Sequence, residues 1–344
     1  MTLRADDRLI ANWLSVCCVV IFGMILLGGV TRLTHSGLSM VEWRPLVGII
    51  PPLSEAEWMR VFSEYKLSPE YQLINFGMDL AGFKSIFLFE YLHRVLGRLI
   101  GLLYFVPLVY FWVKGRIPSD VKGRLVVFLI LGGCQGLLGW YMVKSGLVQD
   151  PRVSQYRLAA HLGLAIFLYC CLAWLAFELH ARARGWQTKI QTQVAPWGLA
   201  LVALVFIMAL TGALVAGTRA GFAYSTWPLM GTQFIPDGLY SMTPWWKSLF
   251  EDITTVQFNH RMFAYGLIVL ITIYSWKLWS AGLTTPAVIV LLALIAQVVL
   301  GISALLLHIP VSIGAAHQGG AVVLLTALIF AERSLVWQQN REAR

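Results

Sequence analysis

Along most of this chain apolar residues do not alternate with polar ones. They run on for spanning length at about 12–30, 86–113, 125–143, 158–178, 197–217, 257–279, 286–307 and 312–331. Roughly 20 apolar residues at helical rise cross the hydrocarbon core of a bilayer. The pattern therefore predicts an all-α membrane protein with eight transmembrane helices. The first run is too long for the core of a signal peptide and lacks a small-x-small cleavage site, so it is expected to be retained. Between the first two runs lies a long loop reaching to about Lys84. Its Ser54-Glu55-Ala56-Glu57 reads as a capping box, followed by Trp58, Val61, Phe62 and Tyr65 on one helical face. This predicts an amphipathic helix on the outer membrane surface, either covering a site or anchoring the loop.

The polar residues that interrupt the runs repeat. Val30-Thr31-Arg32 is echoed by Gly217-Thr218-Arg219, and Trp43-Arg44-Pro45-Leu46 by Trp227-Pro228-Leu229. Gln135 and Gly139 return as Gln297 and Gly301, and Ala159-Ala160-His161-Leu162-Gly163 returns as Ala315-Ala316-His317-Gln318-Gly319. The repeat divides the chain into a half at 1–178, a polar linker at 179–196 and a half at 197–344. Each half holds an even number of spans, so both face the same way. The expected architecture is two four-helix bundles related by a pseudo-twofold axis along the membrane normal.

Composition agrees: 58% of the 344 residues are hydrophobic and 12% are charged, which excludes a soluble globular protein. With the N-terminus inside, Arg4, Arg8, Lys114, Arg116, Lys122, Arg124, Arg182, Arg184, Lys189, Lys277, Arg333, Arg341 and Arg344 fall on the inner side, where Asp6, Asp7, Asp120, Glu178, Glu332 and Glu342 leave a positive excess. Basic loops are held in the cytoplasm, so both termini are expected there. The net charge of +9 reflects topology, not nucleic-acid binding. Cys17, Cys18, Cys134, Cys170 and Cys171 all fall within spans, which fits buried thiols and offers neither a disulfide framework nor a metal motif.

Candidate chemistry centres on Glu90-Tyr91-Leu92-His93-Arg94, where a carboxylate and an imidazole three residues apart share one face of a spanning helix. Ionisable groups inside a membrane are costly and mark function. The arrangement returns as Gln257-Phe258-Asn259-His260-Arg261, with glutamine in place of glutamate. His93, His161, His260 and His317 stand on the second, fourth, sixth and eighth spans, at a depth of roughly 5–10 Å by helix rise. Two histidines per half suit axial coordination of haem iron, while a single four-histidine copper or zinc centre is the alternative. Arg94 and Arg261 either pair with haem propionates or snorkel to the interface. Glu90 acts as a base or charge stabiliser, or serves as a hydrogen-bonding partner of the neighbouring Arg or His. His35, His308 and His180 lack counterparts and are expected at the surface.

Taken together, Glu90-Tyr91-Leu92-His93-Arg94, Ala160-His161, Asn259-His260-Arg261 and Ala316-His317-Gln318-Gly319 on eight spans resemble the haem A synthase family over essentially the whole chain. The resemblance implies an oxidoreductase of the bacterial inner membrane that oxidises the C8 methyl group of haem O to the formyl group of haem A for cytochrome oxidase. It implies His93 and His161 around the substrate haem, His260 and His317 as ligands of a haem b cofactor, and Glu90 as the catalytic carboxylate. Haem O synthase and an electron-transfer protein are the partners it implies. Residues 31–85 lack the cysteine pair of some members, as in the branch found in proteobacteria and mitochondria. A bis-histidine di-haem electron carrier and a non-catalytic haem-handling protein are the competing readings of the same histidines.

Overall fold

The computed structural model describes residues 2–41, 49–147, 153–188 and 195–338. Trp43-Arg44-Pro45-Leu46, Lys189, Arg341, Glu342 and Arg344 lie outside the described residues. All eight long helices found among the described residues are apolar and long enough to cross a membrane. They are α1 (Thr2–Leu33), α4 (Leu80–Val113), α5 (Ser119–Gly146), α6 (Gln155–Ala183), α7 (Ala195–Thr218), α8 (Ile253–Ser280), α9 (Thr284–Leu306) and α10 (Val311–Val336). Two shorter helices, α2 (Glu55–Lys66) and α3 (Pro69–Leu73), fold within the segment between α1 and α4, the loop read from the sequence as the first outer one. Gln187–Thr188 pairs antiparallel with Trp337–Gln338, the only sheet among the described residues. The linker region gives its first residues to α6, which runs on to Ala183.

Burial sorts the spans into inner and outer ones. The share of the span buried against protein is 56% in α6, 44% in α10 and 39% in α1, but 6% in α5. Within the first half α1 packs on α4 and α6, and α5 packs on α6; within the second, α7 packs on α8 and α10, and α9 on α8 and α10. Between the halves α1 meets α10, α6 meets α7, and α6 meets α10. The halves thus meet through α1, α6, α7 and α10, of which α7, at 17%, is no more buried than α4.

Glycines allow the two seams between the halves. A Cβ at Gly163 of α6 would lie 2.6 Å from Leu210 of α7, and one at Gly319 of α10 would lie 2.6 Å from Leu26 of α1. Close approach of this kind drives helix association where lipid supplies no hydrophobic force. These matched contacts align Leu26 with Leu210, a register three residues away from the Thr-Arg echo in the sequence.

The capping box forms as expected: Ser54 accepts from the Glu57 backbone N–H, and the Glu57 carboxylate accepts from Ser54 N at 3.2 Å. The apolar face of α2 does not turn to lipid. Phe62 and Tyr65 are buried against Phe83, Ile86 and Phe87 at the head of α4, with Phe83 stacked 5.0 Å from both rings. α4 begins before its apolar run and so offers α2 a protein surface.

Candidate functional site: two histidine pairs beneath outer loops

Each half brings its two histidines together. His93 of α4 has His161 of α6 as an electrostatic neighbour, and His260 of α8 has His317 of α10. Every one of the four rings faces a glycine on the preceding span. A Cβ at Gly28 would lie 3.3 Å from His93 Nε2, and one at Gly212 would lie 3.4 Å from His260 Cε1. At Gly139 it would come within 2.9 Å of His161 Cε1, and at Gly301 within 2.7 Å of His317 Cε1. The glycines therefore leave room for an imidazole between helices that would otherwise exclude it. The sequence marks these residues only as small; that each faces a histidine depends on helix register.

Hydrogen bonding around the rings is duplicated and incomplete. His161 Nδ1, His317 Nδ1, Gln135 Oε1 and Gln297 Oε1 are all buried without a hydrogen-bond partner. A buried polar atom left so costs about 1–3 kcal/mol, and the same four atoms recur at equivalent places in both halves. Gln135 Nε2 donates to the His161 carbonyl at 3.0 Å. Thr211 Oγ1 lies 2.8 Å from His260 Nδ1, which fixes that ring through one nitrogen and leaves Nε2 for another partner. Unsatisfied imidazole nitrogens in glycine-opened gaps between apolar spans fit axial ligands of haem iron. A cluster of three or more His, Cys, Asp or Glu side chains suited to a bare metal ion is absent among the described residues.

The residues flanking the histidines hold down the outer loops. Glu90 is 2% exposed. Its Oε2 accepts from Ser39 Oγ and from the Met40 N–H, both at 2.7 Å, and its Oε1 is paired with Arg94. Arg94 also donates to the Met40 carbonyl at 2.9 Å. Met40 and Val41 in turn pack on the cluster that joins α2 to α4. In the second half Gln257 Nε2 donates to the Tyr224 carbonyl at 2.9 Å. Arg261 donates to the carbonyls of Tyr224, Thr226 and Leu229 at 2.9, 2.9 and 3.2 Å. Arg94 is half-buried and Arg261 is buried, and both donate to loop backbone.

The remaining histidines depart in part from expectation. His308 is exposed, in a left-handed turn with φ +59°. His35 is half-buried after α1 with φ +53°, and burial together with Arg219 and Arg32 lowers its pKa. His180 is half-buried too and lies 3.2 Å from Ser15 Oγ. Only His308 is a surface residue; the other two sit where α1 packs against its neighbours.

With this geometry in hand, relatives become informative. The family described as COX15-CtaA, cytochrome oxidase assembly protein, matches residues 11–329. The chain belongs to that family. A protein of Nitrosospira multiformis named Heme A synthase is 47% identical over 336 residues, covering 96% of this chain and 94% of the relative. A second of that name, from Parvibaculum lavamentivorans, is 46% identical over 343 residues, covering 99% and 96%. A third, from Nitrosomonas eutropha, is 46% identical over 335 residues, covering 95% and 93%. Family members of this similarity span the same length as this chain, so both histidine pairs and both outer loops fall within the shared region.

Proposed function

We propose that this chain is a haem A synthase that oxidises the C8 methyl group of haem O, through the alcohol, to the formyl group of haem A. The observation that carries this reading is the asymmetry between two otherwise duplicated sites. Each half offers a histidine pair set against glycines, yet only the first has a carboxylate, Glu90, where the second has Gln257. The near full-length similarity to proteins named Heme A synthase supports it.

His93 and His161 hold the substrate haem, and His260 and His317 hold a haem b, which supplies one-electron redox chemistry when bound. Thr211 keeps the His260 ring in one orientation. Arg94 and Arg261 keep the outer loops closed over the two sites and present positive charge toward propionate carboxylates. Glu90 is held in place by three donors, Ser39 Oγ, the Met40 N–H and Arg94. Oxidising a methyl group on a conjugated ring spreads positive charge over that ring, and a fixed carboxylate in a water-poor site lowers the energy of that charge. Gln257 carries no charge and cannot do this, which makes the first half the reacting one.

The protein acts in a bacterial inner membrane with both termini in the cytoplasm, in two halves related by a pseudo-twofold axis. It receives its substrate from haem O synthase and passes electrons to a redox partner. Expression in a host that makes haem O but no haem A, followed by extraction and mass separation of the haems, tests the reading. Haem A or its hydroxymethyl precursor is the expected product; haem b alone, reversibly redox-active at both sites, would make the chain an electron carrier instead.

A further inference from the structure

Gln318 belongs to neither histidine pair. It stands on α10 directly after His317, yet its side chain reaches across a seam into the other half, where Nε2 donates to the Ile25 carbonyl of α1 at 2.6 Å. A Cβ at Gly29 would lie 3.1 Å from Gln318 Oε1, so this glycine leaves the amide its place. Gly28, next along α1, is the residue whose Cβ would lie 3.3 Å from His93 Nε2. One turn of α1, from Ile25 to Gly29, thus has a histidine of the first pair against it on one side and the neighbour of a second-pair histidine on the other. The matching seam is built without this bond. The contacts of Gly163 with Leu210 and of Gly319 with Leu26 set Leu162 at the place of Gln318 and Ala213 at the place of Gly29. Neither has a side chain that can hydrogen-bond. The polar tie stands on one seam only, at the wall of the half that carries Glu90.

We propose that Gln318 is a positioning residue for the first site: from the span that brings His317 to the second pair, it holds the turn of α1 against which His93 is set. Glycine gives up more backbone freedom on folding than any other residue, so a helical turn with Gly28 and Gly29 in succession is a weak one. Neither can be exchanged for a stronger helix former, because His93 needs the space at Gly28 and the Gln318 amide needs it at Gly29. The bond to the Ile25 carbonyl steadies that turn from outside, and with it the level of the α1 backbone against the His93 ring. The second site then bears on the first through packed backbone and one hydrogen bond, a contiguous physical link between two sites.

This inference rests on the haem A synthase reading, and the two fail differently. Wild-type protein that takes up no haem O beside its haem b overturns that reading. Against a wild type that does, Gln318→Met keeps the length of the side chain and removes its donor. The purified variant, with haem b in place, is titrated with haem O, and its low-spin ferric signals are recorded by electron paramagnetic resonance before and after. Haem O is expected to bind about threefold to tenfold more weakly, the range of one interhelical hydrogen bond, and the signal that appears with it to shift. The haem b signal of the second site is expected to stay as in wild type. Affinity and signals that all match wild type overturn the proposal. So does a shift of the haem b signal with the haem O signal unmoved, since Gln318 then serves its own neighbour His317. Gly29→Ala decides the matter where Gln318→Met does not fold: its methyl group crowds the amide at 3.1 Å, and a smaller shift of the haem O signal is expected. No shift in that variant overturns the proposal as well.

Discussion

Glu90 and Gln257 occupy the same place in the two halves, and each is buried and bound to the loop above it, so shape does not separate them; charge does. Glu90→Gln is expected to leave haem binding intact, because His93 and His161 are untouched, and to lower haem A formation by on the order of 100-fold, as when one preorganised electrostatic partner is removed. Haem spectra of the purified variant, together with mass analysis of extracted haems, check both parts. The glycines make the matching argument for the rings. Gly301→Ala puts a methyl group 2.7 Å from His317 Cε1, closer than the ring tolerates in place, so loss of the haem b spectrum is expected. Gly28→Ala, with 3.3 Å to His93, is expected to be milder. Histidines and glutamate were legible in the sequence because ionisable residues stand out in apolar runs. The glycines opposite them were not, since facing depends on which turn of one helix meets which turn of the next. Glu70, 4% exposed, was hidden for another reason: Ser68-Pro69-Glu70 is written like an exposed helix start, yet α3 lies beside Tyr65 of α2, which is itself buried against Phe83 of α4.

At the scale of elements, the first outer loop is the part whose local structure was readable and whose placement was not. Its capping box and apolar face specify α2 without help from the rest of the chain. That face was read as covering a site or anchoring the loop; its partner among the described residues is the head of α4, where Phe83 precedes the apolar run and Phe87 lies at its start. The loop that carries α2 is consequently tied to α4 at two points: the aromatic cluster, and Ser39–Met40 on Glu90 and Arg94. Phe62→Ala removes a ring stacked 5.0 Å from Phe83, a change that costs about 3–5 kcal/mol in a packed core. Limited proteolysis is expected to cut the first outer loop faster in this variant. The haem b spectrum expected from His260 and His317 should stay as in the parent, because the apolar face of α2 packs on α4. Loss of both haems together would show instead that α2 supports the whole bundle.

For the whole molecule, the ends of the spans opposite the histidines carry the countervailing design, an ionic cluster with no cofactor chemistry. Glu178 of α6 accepts from Arg124 of α5 at 3.1 Å and is paired with Arg182. Arg182 reaches Asp120 at 2.7 Å. Arg333 of α10 lies 3.9 Å from Glu178, 3.2 Å from Glu332 and 4.3 Å over the Trp174 ring. The sequence placed these acids and bases on one side of the membrane, but their convergence on Glu178 depends on α5, α6 and α10 meeting there. Since α6 and α10 belong to different halves, the cluster ties the halves together directly through those two spans, apart from the α6–α7 and α1–α10 seams that Gly163 and Gly319 permit. Glu178→Gln leaves three guanidinium groups around a neutral amide at a site only 10% exposed, and breaking a pair of this kind costs about 3 kcal/mol. The expected outcome is a thermal midpoint several degrees lower in detergent, while haem content and turnover per bound haem at room temperature match the parent, because no residue of either histidine pair touches this end. A variant that keeps its midpoint would assign the joining of the halves to the glycine seams alone, and one that loses haem would mean that the spacing of α6 and α10 at the histidines is set from the far end of the bundle.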